Sequence, residues 1–576
     1  MSDGEEIAGK VAIGISFGNS YSSIAFTGSD GKAEVIANEE GDRQIPSILS
    51  YVEGEEFHGT QAKAQLVRNP KNTVAYFRDF IGKDFKSIDP TPCHPSAHPS
   101  EQSGTIAFSI KDTEADQQNN VTVSEITTRH LKRLQKSASD YLGKEVQAAV
   151  ITVPTNFSEE QRKALEEAAK GAGLEILQII HEPAAALLAY DARSTDFTPK
   201  DKIVVLADLG GTRSDIAVVA SRGGIYTILA TSHDYELGGA VLDQTLIDYA
   251  AKEFQKKHKT DPRQNERSLS KLKLEAEAVK KSLSIGASAS FSIESLADGV
   301  DFSLTVNRTR FELLANKHFS AITRLIESTI QKADLDPLDI GEIILSGGTS
   351  HIPKIARNLQ SAFSQRTTVL SPSTSPTAIN PSELSARGAA IQASLISEFE
   401  KDDIEQSTHP VVTATPHLAT AIGISTVAES VGEEVFEPIV EPNTAVPVRR
   451  TIEIPAPKNG GDVLVRICEG LSEIKVTKPE PKEKPVTNGD KDSDDDDEDD
   501  DDDEDEEEVD IREKLWKQGK VLAEAGLKGV KKGGKVEVQV DVKADLSVSF
   551  IVREVGGKGG VRGSLAAGKV GENGSA

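Results

Sequence analysis

Cysteine is almost absent from this chain. Cys93 and Cys468 are the only two in 576 residues, too few for a disulfide framework or a zinc site. Long hydrophobic runs are missing too, so no stretch reads as a bilayer span. Met1-Ser2-Asp3-Gly4-Glu5-Glu6 lacks the basic and apolar regions of a secretory leader. The expectation is a reduced, cytoplasmic protein with no membrane contact. Basic charge is in deficit, with a formal net charge of −27. Much of that is local, because Asp492, residues 494–508 and Asp510 supply 17 acidic groups and leave the remainder at only −10. A mildly acidic folded part argues against direct, sequence-specific nucleic-acid binding. The length exceeds one hydrophobic core and implies two or three domains.

What is present centres on Ile203-Val204-Val205-Leu206-Ala207-Asp208-Leu209-Gly210-Gly211-Thr212-Arg213-Ser214-Asp215-Ile216-Ala217-Val218-Val219. An apolar run meets an acid, a Gly-Gly turn and a second apolar run, which predicts a buried hairpin with a functional tip. Such glycines let backbone N–H groups approach a phosphate, and Asp208 can hold a hydrated cation. Shifting the frame by 192 residues places Ser16 on Asp208, and Gly18, Ser22, Ile24 and Ala25 then match Gly210, Ser214, Ile216 and Ala217 without a gap. Two similar half-domains facing one cleft are implied, against the plainer reading of two unrelated hairpins. A third turn, Ser346-Gly347-Gly348-Thr349, follows Glu342-Ile343-Ile344-Leu345 and precedes a helix start at Pro353. It offers backbone for a base or ribose to lie against.

With these three loops the chain resembles the heat-shock-protein-70 chaperone family, built on a duplicated, ribonuclease-H-like, actin-like ATPase fold. The resemblance implies ATP and Mg2+ as cofactors. It assigns Gly18, Asn19, Ser20, Tyr21, Gly210, Gly211, Thr212, Arg213 and Gly239 to the phosphate side, and places Asp208 on the metal through water. Glu277, Lys280, Lys281 and Ser284 share one helix face and, with Gly347, Gly348 and Thr349 opposite, correspond to the family's adenosine pocket. Without the resemblance that face reads as solvated, and Arg78 as a surface arginine. Glu182, in His181-Glu182-Pro183, matches the residue that helps place the attacking water.

The departures matter more. Ser16 stands where the family has Asp, Asn19 where it has Thr, Arg78 where it has Lys and Arg213 where it has Thr. Ala240 and Val241, after Leu237-Gly238-Gly239, replace two acids. Losing one positioning or electrostatic group commonly costs about 10² to 10³ in rate. The former catalytic-type positions Ser16, Arg78, Glu182, Asp208 and Arg213 are therefore expected to bind ATP without appreciable hydrolysis, with both arginines making charge-assisted phosphate contacts.

Along the chain, residues 1–400 read as the nucleotide domain and 401–414 as a linker. Residues 415–570 read as a truncated β-sandwich of the family's substrate-binding type, and 571–576 as a flexible tail. Residues 90–120 read as a surface excursion, and 478–510 as a disordered acidic insertion. The tail from Gly556 is glycine-rich, so the α-helical lid of ordinary family members is expected to be missing. Together these features resemble the family's atypical members in the fungal ribosome-associated complex. That implies a heterodimer with a J-domain protein of the zuotin type, ribosome contact through that partner, and co-chaperone action for a separate ribosome-bound heat-shock-70 chaperone. An ATP-driven foldase is the enzyme alternative; a sugar kinase of the same ATPase fold leaves the β-domain without a place.

Overall fold

The computed structural model describes residues 11–114, 117–192, 201–396, 416–427, 434–457, 459–477, 511–557 and 559–566, with single positions at 399, 403, 404 and 406. Residues 1–6, most of the linker at 401–414, the acidic insertion at 478–510 and the tail at 571–576 lie outside them. The chain divides into two compact units, Met1–Thr413 and Ala414–Ala576.

The first unit contains the duplication. One sheet runs Glu175–His181, Val146–Val153, Val11–Phe17, Tyr21–Thr27, Ala33–Ile36; a second runs Thr368–Leu370, Ile340–Ser346, Lys202–Leu209, Ser214–Arg222, Ile225–Asp234. In each, a central strand pairs in parallel on one side and forms an antiparallel meander on the other. The 192-residue shift holds at the level of register, for Ser16 opposes Ser23 in one sheet and Asp208 opposes Asp215 in the other. The central strands are buried on both faces, which is why they read as continuous Ile, Val and Leu runs.

Helix Val123–Leu142 opens on a Thr122 cap and helix Glu159–Gly171 on a Ser158/Gln161 capping box. Residues 90–120 are a correction. Pro99–Gln102, Thr105–Ile110 and Asn119–Thr122 form a three-stranded sheet whose Ile106, Phe108 and Ile110 join the first half-domain's core. The turn-forming composition hid a period-two apolar pattern that selects a one-sided strand.

In the second unit, two four-stranded sheets enclose a Val- and Ile-rich core. Their orders are Glu434–Val440, Ala421–Val427, Gly461–Thr477, Ile511–Val530 and Val448–Pro455, Lys535–Val542, Val548–Glu554, Gly560–Leu565. Two strands were not anticipated. Ile511–Val530 pairs with Gly461–Thr477 from Gly461 opposite Val530 to Thr477 opposite Ile511, a long ribbon from whose end residues 478–510 depart. Gly560–Leu565 turns part of the glycine-rich tail into an edge strand. Both are stabilised by cross-strand pairing, and neither has enough strand-type residues to declare itself. The described residues of this unit include no helix.

Candidate functional site

The two hairpin tips meet. Asn19 Nδ2 donates to Thr212 Oγ1 at 3.3 Å, and Ser20 packs on Gly211 so closely that a Cβ there would lie 2.4 Å from its hydroxyl. Behind the second tip, helix Gly239–His258 has no side-chain cap; its first amides, on Gly239 and Ala240, donate to the carbonyls of Gly210 and Gly211 at 2.9 and 2.8 Å. Thr349 Oγ1 bonds the Gly210 carbonyl as well, at 2.9 Å. The third turn depends on Gly347, at φ +81°, where a Cβ would strike the Leu209 carbonyl at 2.4 Å and Asp208 Oδ1 at 2.5 Å.

Below the tips lies a buried network of arginines and acids. Arg78, only 4 % exposed, is no surface residue: it bonds Asp79 at 2.6 and 2.9 Å, donates to the Phe17 carbonyl at 3.2 Å, and stands 3.5 Å from Glu182. Arg213, 5 % exposed, forks onto both oxygens of Asp215 at 2.5 and 2.6 Å, and donates to Asn156 Oδ1 at 3.0 Å and Tyr235 Oη at 3.3 Å. Its guanidinium lies over the Tyr235 ring and 3.9 Å from Asp79. Because Asn156 and Asp79 belong to the first half-domain and Arg213 to the second, these contacts clasp the two halves at the base of the cleft. Burial, then repulsion from Asp208, pushes the Glu182 carboxyl up; burial, then Asp215, does the same to Asp208. Burial alone would raise Asp215, but the His233 hydrogen bond and the Arg213 charge outweigh it and hold that carboxyl low. Ser16 is half-buried on its strand beside this cluster and adds no charge.

At the mouth of the cleft the predicted helix face spans Glu266–Ile285. Glu277 bonds the Tyr21 hydroxyl, Lys63 at 2.6 Å and Lys281 at 2.9 Å, and Lys281 also donates to Tyr21 at 2.9 Å. Burial would raise Glu277, but Lys63 and Lys281 hold it well below the usual range. Tyr21, Lys63 and Lys281 border a cavity of about 520 Å³ whose remaining wall is residues 41–44, Pro46 and Thr60. Lys280 turns inward instead, to the Gly239 carbonyl at 2.9 Å and Asp243 at 2.8 Å. Ser284 bonds back to the Lys280 carbonyl at 3.0 Å, and Gly348 is open to solvent.

Comparison with known proteins matches residues 12–475 to the model of the Hsp70 protein family. The chain belongs to the Hsp70 family. It is 44 % identical over 96 % of its length to the ribosome-associated complex subunit SSZ1 of Saccharomyces cerevisiae, covering 99 % of that protein. A heat shock protein 70 homologue of Schizosaccharomyces pombe is 44 % identical, over 98 % of this chain and 97 % of its own. Human heat shock 70 kDa protein 14 is 34 % identical, over 80 % of this chain and 87 % of its own.

An Hsp70 nucleotide domain implies ATP with Mg2+, and the two fit this cleft differently. The three glycine-containing turns and the cavity at its mouth suit a nucleotide. The acids do not suit a hydrated dication. Asp215 and Asp79 are taken up by guanidinium groups, Glu182 lies against Arg78, and Ser16 supplies only a hydroxyl. Among the described residues no three His, Cys, Asp or Glu side chains are placed to ligate a metal ion directly, which leaves Asp208 as the acid that could hold one through water.

Several residues of this Hsp70 cleft escaped the sequence reading: Lys63, Asp79, Asn156, Asp215, Tyr235 and His130. Asp215 was within reach, because the 192-residue shift pairs it with Ser23 as it pairs Asp208 with Ser16. His130 had no local signal. It is fully buried between Phe17 and Phe77, with Nε2 3.0 Å from Ser22 Oγ. Ser22 Oγ lies 2.9 Å from Ser47 Oγ, which donates to the Gly18 carbonyl at 2.7 Å. We assign the Nε2–H tautomer: the imidazole then donates to Ser22, Ser22 to Ser47, and the chain ends on the first glycine turn. The other tautomer would bury an unpaired Nδ1–H donor.

Burial lowers the His130 pKa to about 3. From about pH 6.5 down to pH 3 the unfolded imidazole takes up a proton that the native one refuses, so acid removes stability at up to about 1.4 kcal/mol per pH unit. Denaturant titrations across that range should show a shallower pH slope for His130→Val than for wild type. Equal slopes would refute the buried neutral imidazole.

Proposed function

We propose that this chain is an ATP-binding Hsp70 subunit with no appreciable hydrolysis, whose β-sandwich holds a dedicated partner segment. The carrying observation is the Arg213 clasp: a guanidinium and its counter-acid occupy the place beside the second phosphate turn where a hydrolytic cleft needs a small hydroxyl and an ordered water. Glu182, Asp208 and Asp215 border a cavity of only about 10 Å³, room for a single water at most. ATP is the ligand of the three turns, with its base toward the Glu277–Lys281 mouth.

The similarity to a ribosome-associated complex subunit along nearly the whole of both chains supports a cytoplasmic role at the ribosome. There the chain forms a stable heterodimer with a zuotin-type J-domain protein and serves a separate, active ribosome-bound heat-shock-70 chaperone in nascent-chain folding. A peptide added by strand pairing would lie along a terminal strand of one of the two sheets, Glu434–Val440 or Ile511–Val530 in one, Val448–Pro455 or Gly560–Leu565 in the other. Leu471 and Val476 on the ribbon are more than half exposed. No helix among the described residues is long and apolar enough to cross a membrane.

Purification of the native protein should bring down one J-domain chain in equal amount together with bound ATP, and deleting residues 411–576 should abolish that pairing. Unchanged pairing after the deletion would refute the assigned surface. Turnover stimulated by J-domain protein and peptide would replace this reading with the foldase.

A further inference from the structure

We propose that this cleft takes its nucleotide without a divalent cation, with the buried guanidinium groups of Arg78 and Arg213 supplying the positive charge that a metal would bring. The inference rests on the nucleotide-binding reading above and goes beyond it in naming the ionic form of the ligand as free ATP.

Three observations carry it. The first is the state of the acids. Asp215 holds Arg213 through both oxygens and His233 at 2.5 Å; Asp79 receives two hydrogen bonds from Arg78; Glu182 faces Arg78. Only Asp208, of these four, has no basic side chain bonded to it in the described contacts, and its counterpart in the other half-domain, Ser16, is neutral.

The second is the permanence of the positive charge. Arginine does not release its proton in proteins, so burial cannot neutralise these groups as it would a lysine. Both guanidinium groups act electrostatically on Asp208, the one acid left to attract a hydrated cation. Each guanidinium also offsets its own counter-acid, so a dication entering here finds Asp208 alone, and burial pushes that carboxyl toward its neutral form.

The third is position. Arg213 directly follows Thr212 in the second phosphate turn, and Arg78 is anchored on the Phe17 carbonyl, one residue before Gly18 in the first. Each cation is thus tied to the backbone of one turn, and Arg213 reaches across to Asn156 and Asp79 of the opposite half. In this arrangement guanidinium bridges join the two halves where a metal–phosphate bridge would otherwise be required. Arg213 makes four hydrogen bonds, at 2.5 to 3.3 Å, with its five N–H donors, and the Nη1 group that carries the remaining proton stands 3.9 Å from Asp79.

The test is calorimetric titration of the full chain, stripped of nucleotide, with ATP in excess EDTA and in excess Mg2+. The expected Kd differs by less than fivefold between the two buffers; a loss of fivefold or more in EDTA overturns the proposal. Arg213→Thr and the double variant R78K/R213T should become chelator-sensitive by at least fivefold. Chelator-insensitive binding in a folded double variant would show that the arginines are not the source of the charge. Should the variants fail to fold, the wild-type pair of titrations decides alone. Absence of binding in both buffers removes the nucleotide-binding reading itself, whereas binding in Mg2+ alone removes only this inference.

Discussion

Replacing Gly388 by alanine is expected to unfold the nucleotide domain or to cost it about 3 kcal/mol, the upper end for an overpacked core. Gly388 lies in helix Leu384–Ile396 against helix Glu182–Asp191, and a Cβ there would stand 1.8 Å from the Ala185 carbonyl oxygen and 2.4 Å from its carbon. Both are backbone atoms, so no rotamer change relieves the clash. The helix has no room to retreat, for on another side a Cβ on Gly14 would lie 2.1 Å from the Ala390 amide nitrogen. Both helices carry buried alanines, Ala185, Ala186 and Ala189 on one and Ala386, Ala389 and Ala390 on the other, which leaves little volume to redistribute. Glu182 begins the displaced helix, so any surviving fold should also lose the Arg78–Glu182 contact. Urea titration of Gly388→Ala, with a midpoint equal to wild type, would show that the crossing is looser than this geometry states.

Restoring the family residues should switch on hydrolysis. A chain carrying S16D, N19T, R78K and R213T is expected to release phosphate from ATP at least about 10²-fold faster than wild type in single-turnover measurements. Removing Arg213 frees Asp215 and opens the space held by its guanidinium group, while Asp at position 16 restores the second acid opposite Asp208. The four changes act on one site and are not additive, so most of the gain should need them together. Brisk wild-type turnover that R213T leaves unaltered would end the view of this cleft as a binding site alone. The quadruple variant should also require Mg2+, since its new acid and lost guanidinium groups reverse the charge balance proposed above.

Particular residues show how far a linear reading reaches. The hairpin at 203–219 and its copy at 13–26 were legible because each is local: an apolar run, a turn and a second run fix one another within twenty residues. Arg78 was legible only through family resemblance, since a lone arginine beside an aspartate has no local mark of burial. Lys280 shares a helix face with Glu277 and Lys281, yet its ammonium turns inward to Asp243 while the Glu277 carboxylate and the Lys281 ammonium stay at the mouth. Helical spacing assigns a face and leaves the tilt of a long side chain to the surroundings. The strand Ile511–Val530 and the sheet within residues 90–120 were missed for a related reason, because their stability comes from partners distant in sequence.

Composition, periodicity and internal repetition by themselves determined the doubled half-domains and the three glycine-containing turns, while the β-rich second unit and the substitutions that mark the cleft were read through the family resemblance. Tertiary structure alone decided that Arg213 grips Asp215 and reaches Asn156 and Asp79 across the cleft, that His130 props the first turn through two serines, and that a long ribbon carries the acidic segment. Secondary structure and turn chemistry are set mainly by neighbours along the chain. The charge state and partners of a buried side chain are set by whatever folding brings around it, where desolvation makes every nearby ion count.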